Sequence, residues 1–373
     1  MSAPRVLIWV QHLLGTGHLR RAHLLAAALA ERGARVVLAS GGPPVPWSPA
    51  PGVELVQLPP IRAADSRFST LATAEGAPVD DGVWAARRAI LEERLEALRP
   101  QILVSEHYPF GRGAFARELE PLLARATALG TVLVASVRDV LVSKADPAKH
   151  RAALARAAAY RRVLVHGDPA LIPFAASFSP AAELGSRLVH TGYLAGPIAR
   201  SAERGDEVVV SAGGGAVGRA LRAVAIEAAA SLPDRPWRIV GGPVADPDEL
   251  AELAAKARPG VIVEGHRADL PELVARAAVS VSQAGYNTVV ETLASGTPMV
   301  LVPFAEGGED EQTRRAEALA ARGLARVLPE AELSPAGLAR AVLAALAEPP
   351  TGPPDIRLDG TTRSVELLLD LLA

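Results

Sequence analysis

Residues 282–312, SQAGYNTVVETLASGTPMVLVPFAEGGEDEQ, hold the densest set of groups able to do chemistry. An apolar strand end runs into Gln283 and Gly285, where a glycine lets the backbone turn closely. Asn287 and Thr288 fall where a helix begins, so their side chains and the first backbone N–H groups could bind a phosphate. One turn further on, Glu291 is an acceptor suited to a ribose diol. After the run MVLVPF, Glu311 and Gln312 offer a carboxylate and an amide to more hydroxyls. A helix start, a carboxylate and a polar pair together suit a nucleotide sugar. The alternative is an ordinary strand–helix–strand unit with a capped helix.

Five more loops carry polar groups after apolar runs. Gly213, Gly214 and Gly215 follow the run VVVSA and precede a helical pattern, a turn that exposes several N–H groups to a diphosphate. His266-Arg267 follows VIV. In the first half the strand RVLIWV runs into QHLLGTGHLRRAH, where Gly15 and Gly17 bracket a turn and His18 opens a helix. A histidine titrates near neutrality, so His18 could take a proton from an acceptor hydroxyl, or could simply cap the helix or orient the loop. The segment SEHYPFGRG packs Glu106, His107, Tyr108 and Arg112 behind another strand, which suggests contact with an acceptor. There Glu106 could orient a base or serve as one, and His107 has a structural reading beside Tyr108. Arg138 and Asp139 end a further strand, either as a salt bridge that fixes the loop or as site groups, Asp139 then assisting the base.

The 282–312 segment resembles the donor-binding region of glycosyltransferases of the GT-B fold. The resemblance is to the family that includes the lipid II-forming N-acetylglucosaminyltransferase of peptidoglycan synthesis, over roughly residues 205–345. It is also similar to the donor signature of plant secondary-product glycosyltransferases, which runs His-Cys-Gly-Trp-Asn-Ser, Glu, Gly-Val-Pro, Asp-Gln. Gln283, Gly285, Asn287, Thr288, Glu291, Gly296-Thr297-Pro298 and Glu311-Gln312 stand in the matching places. Gln283 replaces a histidine and Glu311 an aspartate, which leaves the sugar open. The resemblance implies an inverting transfer from a nucleotide diphosphate sugar, a UDP-sugar first, to an unknown hydroxyl acceptor. It implies no metal requirement and no cofactor beyond the co-substrate, and it puts Arg267 at the base through its main chain. A hydrolase or epimerase of the same fold is a second reading, because GTGHLRR echoes the Gly-x-Gly-His-x-x-Arg loop of enzymes that hydrolyse nucleotide-activated sugars. A non-catalytic nucleotide-sugar binding protein is a third. Asp246-Pro247-Asp248 has the Asp-x-Asp spacing of metal-dependent transferases of another fold, but at a helix start it reads as a cap.

These loops need a scaffold. Short β-branched runs alternate with Ala/Leu/Arg-rich helical stretches, the pattern of parallel strands joined by crossover helices. The expected fold is α/β, with two Rossmann-like domains facing each other across a cleft. Strands are expected at 5–10, 35–39, 53–58, 101–105, 131–136, 162–166 and 187–190, with a helix at 18–32 closed by Gly33 and long loops over 41–82. The second set places strands at 207–211, 237–240, 260–263, 278–282, 298–302 and 324–328, with helices between. Boundaries fall at 1–195 for the acceptor domain, 196–206 for a linker and 207–360 for the donor domain. A last helix, 361–373, is free to cross back to the first domain. The 373 residues carry a formal charge of −2, so a polyanion such as nucleic acid is not an expected partner. There is no cysteine, which excludes disulfides and thiolate metal sites. VLIWV ends at Gln11-His12, too short for a signal or membrane helix, and a cytoplasmic protein is expected. Leu, Phe and Trp in the N-terminal loops could give peripheral membrane contact.

Overall fold

The computed structural model describes residues 3–46, 48–64, 70–141, 146–197, 201, 203–212, 218–243, 245–305, 310–350 and 355–372. Two compact units emerge: Met1–Leu194 with Arg357–Ala373, and Ala195–Ile356. Both are mixed α/β structures of Rossmann type.

The first unit is built on β1 (Arg5–Val10), α1 (Gly17–Glu31), β2 (Arg35–Ser40) and β3 (Val53–Gln57). A short pair follows, β4 (Ile61–Ala63) and β5 (Leu71–Thr73), then α2 (Asp81–Leu98), β6 (Ile102–Glu106) and α3 (Ala116–Ala128). The unit continues through β7 (Val132–Arg138), α4 (Pro147–Ala157), β8 (Arg162–His166) and β9 (Leu188–His190). The main sheet runs β3-β2-β1-β6-β7-β8-β9, every pair parallel. Val6 to Val10 are all buried, as a parallel strand covered on both faces must be, which is why it reads as one unbroken apolar run. The sheet register puts Glu106 opposite Ser136 and Arg138 opposite His166, so polar groups far apart in sequence meet along one edge.

The second unit comprises β10 (Val208–Ser211), α5 (Arg219–Ala230), β11 (Trp237–Val240), α6 (Pro247–Lys256), β12 (Val261–Glu264) and α7 (Leu270–Arg276). Next come β13 (Val279–Ser282), α8 (Tyr286–Ser295), β14 (Met299–Leu301), α9 (Glu311–Ala320), β15 (Arg326–Val327) and α10 (Pro335–Ala347). Its sheet order is β12-β11-β10-β13-β14-β15, again all parallel. In both sheets the order reverses direction beside the first strand, between β1 and β6 and between β10 and β13. Such switch points open a crevice beyond the carboxyl ends of the strands, where ligands of this fold class bind.

The last helix, α11 (Gly360–Asp370), belongs to the first unit. Its Val365 and Leu368 pack in one apolar cluster with Leu19, Leu25 and Leu29 of α1. Gly192 sits at φ 89° with Arg357 and Asp359 so close that a Cβ would meet them at 2.9–3.0 Å, and Tyr193 N donates to Arg357 O at 2.8 Å.

Three local expectations change. The stretch 41–82 is not loop throughout, because Ile61, Ala63 and Ala72 are buried and tie β4 to β5 antiparallel. Strands β6 and β7 each run further than their apolar runs, so Glu106 and Arg138 are strand residues. Gly285 has φ −65° and open space where a Cβ would lie, so neither turn nor packing demands a glycine there. Among the described residues no helix is long and apolar enough to cross a membrane.

Candidate functional site

The first cluster lies at the switch point of the first sheet. His18 stands in the first turn of α1, directly beyond β1, and Thr16 rather than His18 is the N-cap residue. The His18 side chain reaches instead to the end of β6, where Nδ1 lies 3.0 Å from Glu106 Oε1. Arg21, one turn along α1 and so on the same helix face, bonds Glu106 Oε1 and approaches His18 Nδ1 at 3.0 Å. Glu106 is buried, and its second oxygen accepts from Ser136 Oγ on β7. Ser136 Oγ lies 2.9 Å from His166 Nε2 on β8, and His166 Nδ1 lies 3.0 Å from Thr191 Oγ1. Burial of an ionised carboxylate is tolerable here because both of its oxygens are met by donors.

Around that pair the backbone is unusually tight. His107 adopts φ 70°, its amide donates to Ser136 O at 2.6 Å, and its ring centroid lies 4.8 Å from that of His18. A Cβ on Gly111 would fall 2.3 Å from the His107 ring, so a side chain there would displace the ring. Arg112, also left-handed at φ 61°, donates from Nε to Gln11 O at 2.9 Å. Behind the loop, Gln11 Nε2 donates to His12 O and Ile61 O, each at 2.8 Å. Gly15 has open space where a side chain would be, and Gly17 begins the helix. Asp139 accepts from Val140 N at 2.9 Å and from Tyr193 O–H at 3.2 Å, the second bond tying the end of β7 to the segment after β9. Arg138 ends β7 beside it.

The electrostatics favour neutral imidazoles. Burial lowers His18 well below its ordinary value, and the guanidinium groups of Arg112, Arg21 and Arg138 push the same way. His107 is lowered well below by burial and then by His18 and the same arginines. Burial pushes His12 down to about 4 and His166 down to about 3. His18 therefore enters neutral solution with a lone pair available, the state a base requires. The linkage has a definite sign. Each of these histidines binds its proton more weakly folded than unfolded, so its contribution to stability is complete above pH 6.5 and is lost as pH falls towards the folded value. Urea melts should show His12 and His166 costing about 2 kcal/mol each on going from pH 7 to pH 5. A midpoint that stays level over that interval would count against these buried neutral histidines.

The second cluster sits at the switch point of the second sheet. β13 delivers Gln283 to Gly285, and Gly285 is the N-cap of α8. The first helical bond runs from Val289 N to Gly285 O at 3.1 Å, so the amides of Tyr286, Asn287 and Thr288 precede the ladder and carry the positive end of the helix. Tyr286, Val289, Val290 and Leu293 are buried, whereas Gln283, Asn287, Thr288 and Glu291 stay partly exposed on the other face. Thr292 Oγ1 donates back to Thr288 O at 2.7 Å. Ser211 and Ser282 end neighbouring strands in register, and their buried hydroxyls find no partner among the described residues.

Arg315 on α9 was not legible in sequence. It is fully buried, donates to Ala284 O at 2.7 Å and lies 5.8 Å from the Tyr286 ring centroid, so it braces the turn before α8. Glu311 is buried 3.6 Å from Arg315, a supporting position rather than an open one for a sugar hydroxyl. Gln312 Oε1 accepts from Phe304 N at 3.1 Å. The Arg267 side chain is held by Asp269 at 2.6 Å and Glu264 at 3.2 Å, which braces the loop after β12. Asp246 caps α6 by accepting from Asp248 N at 3.0 Å. Gly213, Gly214 and Gly215 lie outside the described residues.

The first cluster thus brings His18, Glu106 and His107 together and adds Arg21, Ser136 and His166. The His-x-x-Arg spacing of 18 and 21 hints at Arg21, whereas Ser136 and His166 show in sequence only as strand ends.

Comparison with known proteins points the same way. Residues 211–356 match the model of the glycosyltransferase family 28 C-terminal domain. The chain is 31% identical over 340 residues to a UDP-N-acetylglucosamine–N-acetylmuramyl-(pentapeptide) pyrophosphoryl-undecaprenol N-acetylglucosamine transferase of Methylobacterium sp., covering 87% of this chain and 83% of that protein. The protein of the same name from Rhodospirillum centenum is 37% identical over 106 residues, 26% of this chain and 28% of the relative's length. Among solved structures, MurG of Acinetobacter baumannii is similar with a TM-score of 0.59 at 15% identity, over 98% of this chain and 100% of that one.

Proposed function

The chain belongs to the glycosyltransferase family of these bacterial relatives, and from that premise we propose that it moves a sugar from a nucleotide diphosphate sugar, a UDP-sugar first, to a hydroxyl acceptor in one inverting displacement. The observation that carries the proposal is the His18–Glu106 pair at the first switch point. His18 Nε2 takes the acceptor proton as the oxygen attacks the anomeric carbon, and Glu106 stabilises the imidazolium that forms. The glycosidic bond to the diphosphate breaks, and the charge gathering on its oxygens is met by the amides at the start of α8. Preorganised donors of this kind contribute about 3 kcal/mol each. By resemblance, the Gly213–Gly215 turn adds more such donors, Glu291 and Gln312 read hydroxyls of the donor, and the main chain at Arg267 faces the base. The relatives' names supply the first substrates to test, UDP-N-acetylglucosamine and N-acetylmuramyl-(pentapeptide) pyrophosphoryl-undecaprenol. An undecaprenol-linked acceptor would bring the protein to a membrane surface.

Donor assignment is tested without an acceptor. UDP should raise the melting temperature more than GDP or dTDP, because a ligand that binds only the folded state stabilises it. Glu291→Ala should weaken UDP-N-acetylglucosamine binding by about ten- to a hundredfold by calorimetry, the loss expected for a hydrogen bond to a charged group. Unchanged affinity in that variant would sink the donor site.

A second reading, hydrolysis of the nucleotide sugar, is favoured by the Arg21 contact to Glu106 and His18, because the same trio could activate a water. UDP release at equal rates with and without the lipid-linked acceptor would select it.

A further inference from the structure

The hydrogen bonds behind Glu106 run in one direction, and we propose that Ser136 and His166 are positioning residues that keep the Glu106 carboxylate charged and aimed, and through it fix the Nδ1–H tautomer of His18. The inference rests on reading His18 as the base. His18 Nδ1 lies 3.0 Å from an acceptor, Glu106 Oε1, and 3.0 Å from a donor, Arg21 Nη2. If Arg21 donates to Nδ1, the His18 proton sits on Nε2 and no lone pair faces the acceptor. If Glu106 draws the guanidinium protons to itself, Nδ1 donates to Glu106 and Nε2 is the free base. Whether Glu106 stands as an acceptor-only carboxylate decides between these two states.

That state is held from behind. An ionised carboxylate only accepts, so Ser136 Oγ must give its single proton to Glu106 Oε2. Ser136 Oγ is then an acceptor, and His166 Nε2 at 2.9 Å must be the donor. His166 is fully buried, and burial lowers its pKa to about 3, so its ring carries one proton and Nδ1 is left to accept from Thr191 Oγ1 at 3.0 Å. Thr191 Oγ1 also lies 2.8 Å from the Gly192 carbonyl and 3.3 Å from that of Val165, so its proton has two other places to go. The chain run in reverse would place that proton on Gly192 O, leave His166 Nδ1–H donating to Thr191, and require a protonated Glu106. The Arg21 cation on Oε1 opposes that state. Every donor therefore points at the carboxylate.

Long-range proton–nitrogen-15 spectra read the tautomer of each histidine directly and need no substrate. The wild-type protein should show His18 protonated on Nδ1 and His166 on Nε2. Either ring in the opposite form overturns the proposal, whatever any variant does. In Ser136→Ala, His18 should move towards the Nε2–H form. Its kcat for UDP release from UDP-N-acetylglucosamine, with the lipid-linked acceptor present, should fall about tenfold at unchanged donor KM. Ser136→Thr, which keeps the hydroxyl, should restore both. A folded Ser136→Ala protein whose His18 spectrum matches wild type overturns the proposal too. Failure of the base reading looks different: His18→Ala would keep its turnover while the tautomer shift in Ser136→Ala persisted.

Discussion

His18→Ala should lower turnover by about a hundred- to ten-thousandfold, the range removed with a positioned general base. Calorimetry should find its affinity for UDP-N-acetylglucosamine nearly unchanged, because the donor groups lie on β13 and α8 of the second unit. Glu106→Gln should fall between the variant and the wild type. An amide still occupies the space beside Nδ1 but brings no charge to balance an imidazolium. The measurement is the rate of UDP release with and without acceptor, at saturating donor. Retention of more than about a tenth of the rate by His18→Ala would assign proton removal elsewhere. A matched loss of donor affinity would make His18 a binding group.

The second large effect is on stability. Arg87 is fully buried on α2, and all five of its N–H donors have acceptors. Nε donates to Glu118 Oε2 at 2.6 Å and Nη2 to Glu118 Oε1 at 2.7 Å and Gln11 Oε1 at 2.9 Å. Nη1 donates to Gly41 O at 3.0 Å and Pro59 O at 2.7 Å. Trp9 Nε1 adds a bond to Glu118 Oε1 at 3.0 Å. Removing either partner leaves a buried charge uncompensated, which costs about 3–5 kcal/mol. Glu118→Ala should therefore melt the first unit roughly 6–20 °C earlier, at about 2–4 °C per kcal/mol for a unit of this size. Calorimetry on the full chain should resolve it. Replacing both residues by apolar ones, Arg87→Met with Glu118→Leu, should cost less than either single change, because no charge is stranded. A loss below about 1 kcal/mol for Glu118→Ala would mean water reaches the pair. Gln11 hangs from Arg87 and begins the loop that carries His18, so turnover should fall along with stability.

Much of this could be read from sequence because parallel strands buried on both faces announce themselves. RVLIWV and RVLVH became strands at the residues the pattern marks, Arg5–Val10 and Arg162–His166. The segment after β13 was legible for a similar reason, since its polar residues recur at helical spacing on one side of an apolar helix. Partners across the sheet were not. Glu106 meets His18 over 88 residues, Arg21 over 85 and Ser136 over 30, and Arg87 meets Glu118 over 31. The Glu106–Ser136 pairing follows from sheet register and the others from how α1, α2 and α3 pack, neither of which a single chain displays. His166 ends the run RVLVH with nothing local to mark a role, because its meaning lies in Ser136 on the neighbouring strand. Gly285 drew attention as a tight turn, yet its backbone is one any residue could adopt. Glu311 is drawn inward by Arg315, a cation nothing local to it distinguishes.

The return of the last helix to the first unit also has a consequence for how the protein is made. Residues 195–356 form an uninterrupted stretch that can complete its own sheet while still attached to the ribosome. The first unit begins synthesis earlier but waits longest. The apolar surface formed by Leu19, Leu25 and Leu29 stays uncovered until Val365 and Leu368 leave the exit tunnel. The half translated first is thus finished last.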